Sequence, residues 1–213
     1  MRLIRLATAL AAVLFAVAVP SGPAVAQDLE AFEENLTQHT LDNGLTLLVY
    51  ERPTAPVVSF FTLFDVGGYR EVPGITGIAH MFEHMAFKGS TTIGTTNFKA
   101  EKKALDAVDA TFHAYEIERT KPGGGDPEKL EQLLEAWKAA QEEAGKYVVK
   151  NEFSEIIDRA GGVGLNAFTG SDQTGYVFSL PANKDELWAY LESERFVDPV
   201  FREFYKERDV VME

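Results

Sequence analysis

Within the stretch from Gly77 to Gly89, His80, Glu83 and His84 stand three and four residues apart, a spacing that could hold a metal ion and activate a water molecule. On an α-helix such residues are neighbours, with Cβ atoms about 5 to 6 Å apart, so the three side chains share a face. Zinc takes imidazole nitrogens at about 2.0 to 2.1 Å, and its catalytic sites use three protein ligands with water in the fourth position. His80 and His84 supply two such ligands. Glu83 is better placed to take a proton from the water as it attacks a peptide carbonyl, and then to pass that proton to the leaving amine. Ile78, Met81, Phe82 and Met85 occupy the other sides, which predicts a buried helix with one polar face turned toward a cleft.

Thr76 is the expected N-cap of this helix. Upstream, alternation over residues 37–50 around Asp42-Asn43-Gly44 predicts a β-hairpin, and the apolar run 57–66 predicts a strand beside it in one sheet. Downstream, over about 96–147, Leu105, Val108, Phe112 and Tyr115 fall at helical spacing, and Leu130, Leu133, Leu134 and Trp137 repeat the pattern. With Pro122-Gly123-Gly124-Gly125-Asp126-Pro127 between them, they predict a charged antiparallel helical hairpin with a turn at its tip. The glycine run is no phosphate loop, because it follows a charged helix and lacks Gly-Lys-Ser/Thr. Residues 161–169 and 173–180 predict a second strand pair, Asn183 caps a helix carrying Leu187, Tyr190 and Leu191, and Asp198-Pro199 opens the last helix. The expected fold is α+β, a mixed and mainly antiparallel sheet with helices packed on one face.

Arg2 and Arg5 precede an apolar run over residues 6–19, a Pro20-Ser21-Gly22-Pro23 break, and Ala24-Val25-Ala26. This pattern predicts a secretory signal peptide over residues 1–26, removed after Ala26. The apolar run is shorter than the roughly 20 residues a membrane helix needs. The expected mature domain, residues 27–213, is therefore exported, periplasmic or secreted, with no membrane attachment after cleavage. A formal net charge of −13 argues against a nucleic-acid partner, which needs a basic face. The chain has no cysteine, which excludes disulfides, thiolate ligands and a cysteine nucleophile, so a metal must sit on His, Glu or Asp.

His-x-x-Glu-His, the mirror order of His-Glu-x-x-His, is the signature of inverted zincins. With Leu41-Asp42-Asn43-Gly44-Leu45, the stretch from His80 to Gly89, Leu165-Asn166-Ala167-Phe168-Thr169 and Glu207-Arg208-Asp209-Val210-Val211, the chain resembles the N-terminal half of a pitrilysin/insulinase-type zinc metallopeptidase, the family that includes the mitochondrial processing peptidases. The resemblance implies one zinc ion on His80 and His84, Glu83 as general base, and an edge strand at Asn166 and Ala167 that takes the substrate backbone as an added strand. It also implies a third ligand, a glutamate seven residues after the one matching Glu207, at position 214. The charged hairpin is longer than the plain connection of most relatives, and either shapes access to the site or packs outside it.

At about 100° per residue, Glu213 lies about 120° round a helix from Glu207. Val200, Phe204, Glu207 and Val211 form a mostly apolar stripe, whereas Arg202, Lys206, Asp209 and Glu213 form a charged stripe expected to face solvent. Glu213 is therefore the wrong glutamate for the metal. Glu207 is either a carboxylate that orients a metal ligand or an edge-of-core residue paired with a nearby Lys or Arg. The function expected is an exported zinc metalloendopeptidase domain acting on peptides or unfolded proteins. A second peptidase-like half, in the same longer chain or as a separate subunit, is the expected partner. The other reading is a non-catalytic subunit that keeps the fold to bind a partner or peptide.

Overall fold

Residues 29–212 are described in the computed structural model; the expected signal peptide, residues 1–26, and Glu213 lie outside the described residues. The chain divides into two compact units between Ala55 and Pro56. In the first, helix α1 (Leu29–Glu34) leads into the antiparallel strands β1 (Leu36–Thr40) and β2 (Thr46–Tyr50), with Leu36 opposite Tyr50 and Thr40 opposite Thr46. Gly44 closes the turn at φ +89, a left-handed angle suited to glycine, and its N–H donates to Leu41 O at 2.9 Å.

In the second unit, β3 (Val57–Phe64), β4 (Val163–Thr169) and β5 (Thr174–Pro181) form a three-stranded antiparallel sheet in the order β3-β5-β4. β3 does not extend the β1-β2 ladder as expected; it pairs with β5, Val57 opposite Pro181 and Phe64 opposite Thr174. Alternation identifies a strand without naming its neighbour, which here lies more than a hundred residues away in sequence. Helices cover one face of this sheet. There Phe178 and Leu180 of β5 meet Phe153 and Ile157 of α5 (Glu152–Arg159), Leu191 of α6 (Asp185–Val197) and Ile93. Val57, Phe61 and Leu63 of β3 stay exposed. Helix α5 was not expected, although Phe153, Ile156 and Ile157 carry its spacing. Asn183 does not cap α6, whose N-cap position is Lys184 with no side-chain bond.

The helical hairpin stands as expected, as α3 (Phe98–Arg119) and α4 (Pro127–Gly145). Asn97 accepts from Ala100 N, Asp126 accepts from Lys129 N, and Pro127 occupies the first turn of α4, so both N-termini are capped. At the tip, the Glu118 side chain is 4% exposed and pairs with Lys129 at 2.7 Å and Lys121 at 2.9 Å. Bonds from Lys129 and Lys121, then from the Asp126 N–H, hold its carboxyl at about 2, against an ordinary 4.5.

The last helix, α7 (Phe204–Met212), starts later than Asp198-Pro199. Pro199 instead bridges Ser90, and Glu203 takes φ +54 just before the helix. Arg202 therefore precedes α7 and escapes its periodicity: expected in solvent, it is fully buried. Its Nε and Nη2 donate to the Glu101 carboxylate at 2.6 and 3.0 Å, Nη1 to Lys88 O and Ile93 O, and Nη2 to Ser90 O. All five guanidinium donors are used.

Two predictions follow from these buried carboxylates. Breaking a buried pair costs about 3 to 5 kcal/mol, so Glu101→Gln should lower urea stability on that scale, and Arg202→Met should cost more because it also strands the Lys88 and Ser90 carbonyls. For Glu118 the folded pKa lies below the unfolded one, so its contribution is full above about 4.5 and lost as pH falls toward 2. Thermal melts of Glu118→Gln should sit below the parent at pH 7 and converge with it near pH 2.

Candidate metal centre

Helix α2 (Ile78–Met85) carries the His-x-x-Glu-His residues. Thr76 does not cap it; Gly77 sits at the N-cap position at φ +90, without a side-chain bond. The cap comes from Glu71, whose Oε2 accepts from Gly77 N at 2.7 Å and whose Oε1 accepts from Ala79 N at 2.9 Å. Bonds from the Ala79 and Gly77 amides hold the Glu71 carboxyl below its ordinary range, and a negative charge suits a helix N-terminus. Sequence reasoning missed Glu71 because the loop returns over six residues, outside any local capping pattern.

Ala79, Met81 and Met85 are buried, but Ile78 and Phe82, expected inside, are 54% and 41% exposed. They line an apolar groove with Phe64, Val66 and Ile75. The helix is thus buried on one side rather than wrapped. The opposite side presents the imidazoles of His80 and His84, with Nε2 atoms 3.2 Å apart and rings crossed at 76°.

That separation fits one zinc ion. Two nitrogens at about 2.05 Å from a tetrahedral centre stand about 3.3 Å apart, close to the observed separation. Glu83 lies beside them, and one of its oxygens, Oε2, accepts from Thr169 Oγ1 at 2.6 Å. Thr169 ends β4, an edge of the sheet against which α2 packs, so strand and carboxylate meet at one place. Asn166 and Ala167 lie on that edge strand, opposite Val177 and Tyr176 of β5. A cavity of about 540 Å³ runs past Glu83 and His84 to Asn166, Ala167 and Glu207.

Glu207 of α7 reaches the other side of His84: its Oε2 accepts from Nδ1 at 3.2 Å, and Lys88 Nζ donates to its Oε1. Burial raises the Glu207 carboxyl, but the bonds from Lys88 and His84 outweigh it and leave the pKa below its ordinary value. Because it faces Nδ1, Glu207 is not a third ligand in this position. Among the described residues, no group of three or more His, Cys, Asp or Glu is placed to hold a metal. Below the site, burial first, with Glu83 and Glu192 adding to it and Arg195 opposing, pushes the Tyr176 hydroxyl up to about 12, so this neighbour stays neutral. The buried Arg195 guanidinium lies 4.5 Å from the Tyr176 ring centre and 4.8 Å from that of Phe196.

Residues 46–118 match the sequence model of the family described as insulinase (peptidase family M16). Over 83 residues, 39% of this chain and 19% of the relative, the chain is 40% identical to an uncharacterized zinc protease of Rickettsia bellii. Over 76 residues, 36% of this chain and 16% of the relative, it is 34% identical to the mitochondrial-processing peptidase subunit beta of Lentinula edodes. The matched stretches span less than a fifth of the length of these curated relatives. Among solved structures, a protease from Helicobacter pylori shares the fold with a TM-score of 0.52 and 23% identity, over 82% of this chain and 29% of that one. These matches support a pitrilysin/insulinase-type family and include the stretch that carries His80, Glu83 and His84.

The capping geometry sets a local test. In Glu71→Ala, hydrogen exchange at the Gly77 and Ala79 amides should accelerate at least tenfold, while the amides of β5 keep their protection; equal protection at both sites in the variant would rule out the cap.

Proposed function

We propose that this chain carries the catalytic domain of a zinc metalloendopeptidase, with His80 and His84 as metal ligands and Glu83 as general base. The observation that carries the reading is the 3.2 Å separation of the two Nε2 atoms beside a carboxylate held by Thr169. When bound, zinc acts as a Lewis acid and brings the pKa of water down to about 7. Glu83 takes a proton from the water as its oxygen adds to the scissile carbonyl carbon, and returns it to the amine nitrogen as the C–N bond breaks. Thr169 holds one Glu83 oxygen and so aims the other. By accepting from Nδ1–H, Glu207 selects the His84 tautomer whose Nε2 lone pair is available to a metal.

The edge of β4 at Asn166 and Ala167 offers main-chain groups to an extended substrate, a mode that reads backbone more than side chains and suits peptides or unfolded proteins. The pattern over residues 1–26 supports export to the periplasm or beyond. The resemblance to pitrilysin/insulinase-type peptidases supports a second peptidase-like half, in the same longer chain or as a separate subunit, closing over the site. The reading as a non-catalytic, peptide-binding subunit rests on the donor set that stops at two histidines among the described residues.

Glu83→Gln separates these readings. Peptidase action predicts a variant that keeps zinc and loses about 10² to 10⁴ in kcat/KM on an unfolded peptide substrate. Unchanged hydrolysis would remove Glu83 as base. A zinc-loaded parent that captures peptide without cutting it would favour the binding subunit.

A further inference from the structure

We propose that the α3-α4 hairpin is a brace that sets the position of α7 against the metal helix, with Tyr205 as the positioning residue; the inference rests on the reading of His80 and His84 as zinc ligands. Helix α7 is gripped from two sides. Glu203 and Glu207 pair with Lys88, and Glu207 also meets His84, so all three contacts go to α2 and the turn after it. Tyr205 stands about 200° round the helix from Glu207, two residues at about 100° each, and faces the hairpin.

Its ring lies 4.3 Å from that of Phe112 on α3 and 5.2 Å edge-on from that of Trp137 on α4, so it bridges both arms. Its hydroxyl donates to Asp109 Oδ1 at 3.0 Å, and the Arg208 guanidinium lies 5.5 to 5.7 Å from the Tyr205 and Phe112 ring centres. Just before α7, Arg202 is locked to Glu101 at the foot of α3. The hairpin therefore holds α7 at two heights, one polar and buried, the other aromatic. Aromatic pairs resist sliding, because displacement loses both ring contact and burial. Withdrawing α7 by about one ångström along the Glu207–His84 Nδ1 contact would stretch it from 3.2 Å to beyond hydrogen-bond range. The hairpin thus acts on the metal through one carboxylate.

The test is a double-mutant cycle on the 213-residue chain, reading zinc affinity by competition with a chromophoric chelator, zinc alone being the probe. Partners that orient a metal-bound histidine are worth about 10- to 100-fold in affinity. Tyr205→Ala and Glu207→Gln should each weaken zinc by about tenfold, and the double variant should be no weaker than Glu207→Gln, because Tyr205 acts through Glu207. Tyr205→Phe, which keeps the ring and loses only the bond to Asp109, should weaken zinc by no more than about threefold. If Tyr205→Ala loses its helical circular dichroism, Asp109→Ala at the exposed end of the contact carries the same comparison, with about threefold weakening that vanishes in the Glu207→Gln background. Additive losses, or zinc affinity unchanged by both Tyr205→Ala and Asp109→Ala, would overturn the brace while a zinc loss in His84→Ala keeps the metal centre. No zinc uptake by the parent, or uptake indifferent to His84→Ala, would instead remove the metal centre and the brace with it.

Discussion

A single buried cation governs the geometry around the metal helix. Arg202, at the approach to α7, spends every guanidinium donor on two parts of the chain far from it in sequence, the turn after α2 and Glu101 at the foot of α3. Burying a charge this deeply is costly unless its partners are complete, and here they are. The turn must come close to the guanidinium to offer its carbonyls, and Gly89 and Gly94, both at φ +87, permit that approach; a Cβ at either would collide with a carbonyl oxygen across the turn. One residue therefore fixes how the helix with the histidines, the charged hairpin and the helix with Glu207 meet.

The chemistry of the centre divides between rigid and adaptable parts. His80 and His84 stand one turn apart on α2, so the helix itself puts both imidazoles on one face. Glu83 and His84 each depend on a partner from elsewhere, Thr169 on the edge strand and Glu207 on α7. A metal-ligating histidine usually gives its second nitrogen to such an acceptor, and the acceptor's placement tunes the ligand. Strand, helix and hairpin thus converge on one small volume, although the proposed metal donors both lie on α2.

Much of this was legible in the sequence where periodicity is local. The α3-α4 hairpin, its Pro-Gly tip, the β4-β5 pair and the helix with His80, Glu83 and His84 all follow from spacing within one element. Readings that needed long-range geometry went astray. Arg202 was assigned to a solvent stripe because the helix was extended back to Pro199, but Glu203 at φ +54 starts it afresh and leaves Arg202 free to turn inward. Thr76 was the nearest capping type, yet a glutamate six residues before Gly77 reaches the amides first. The neighbour of β3 could not be read from β3 itself, since pairing belongs to two segments more than a hundred residues apart. Ile78 and Phe82 fooled the burial reading because an apolar residue is no proof of an interior position.

The central claim is that His80 and His84 bind one zinc ion through their Nε2 atoms. X-ray absorption at the zinc edge of the metal-loaded chain tests it most directly. The account predicts two imidazole nitrogens at about 2.0 to 2.1 Å, one of them lost in His80→Ala and one in His84→Ala. An all-oxygen shell, or an imidazole count unchanged by both substitutions, would contradict it.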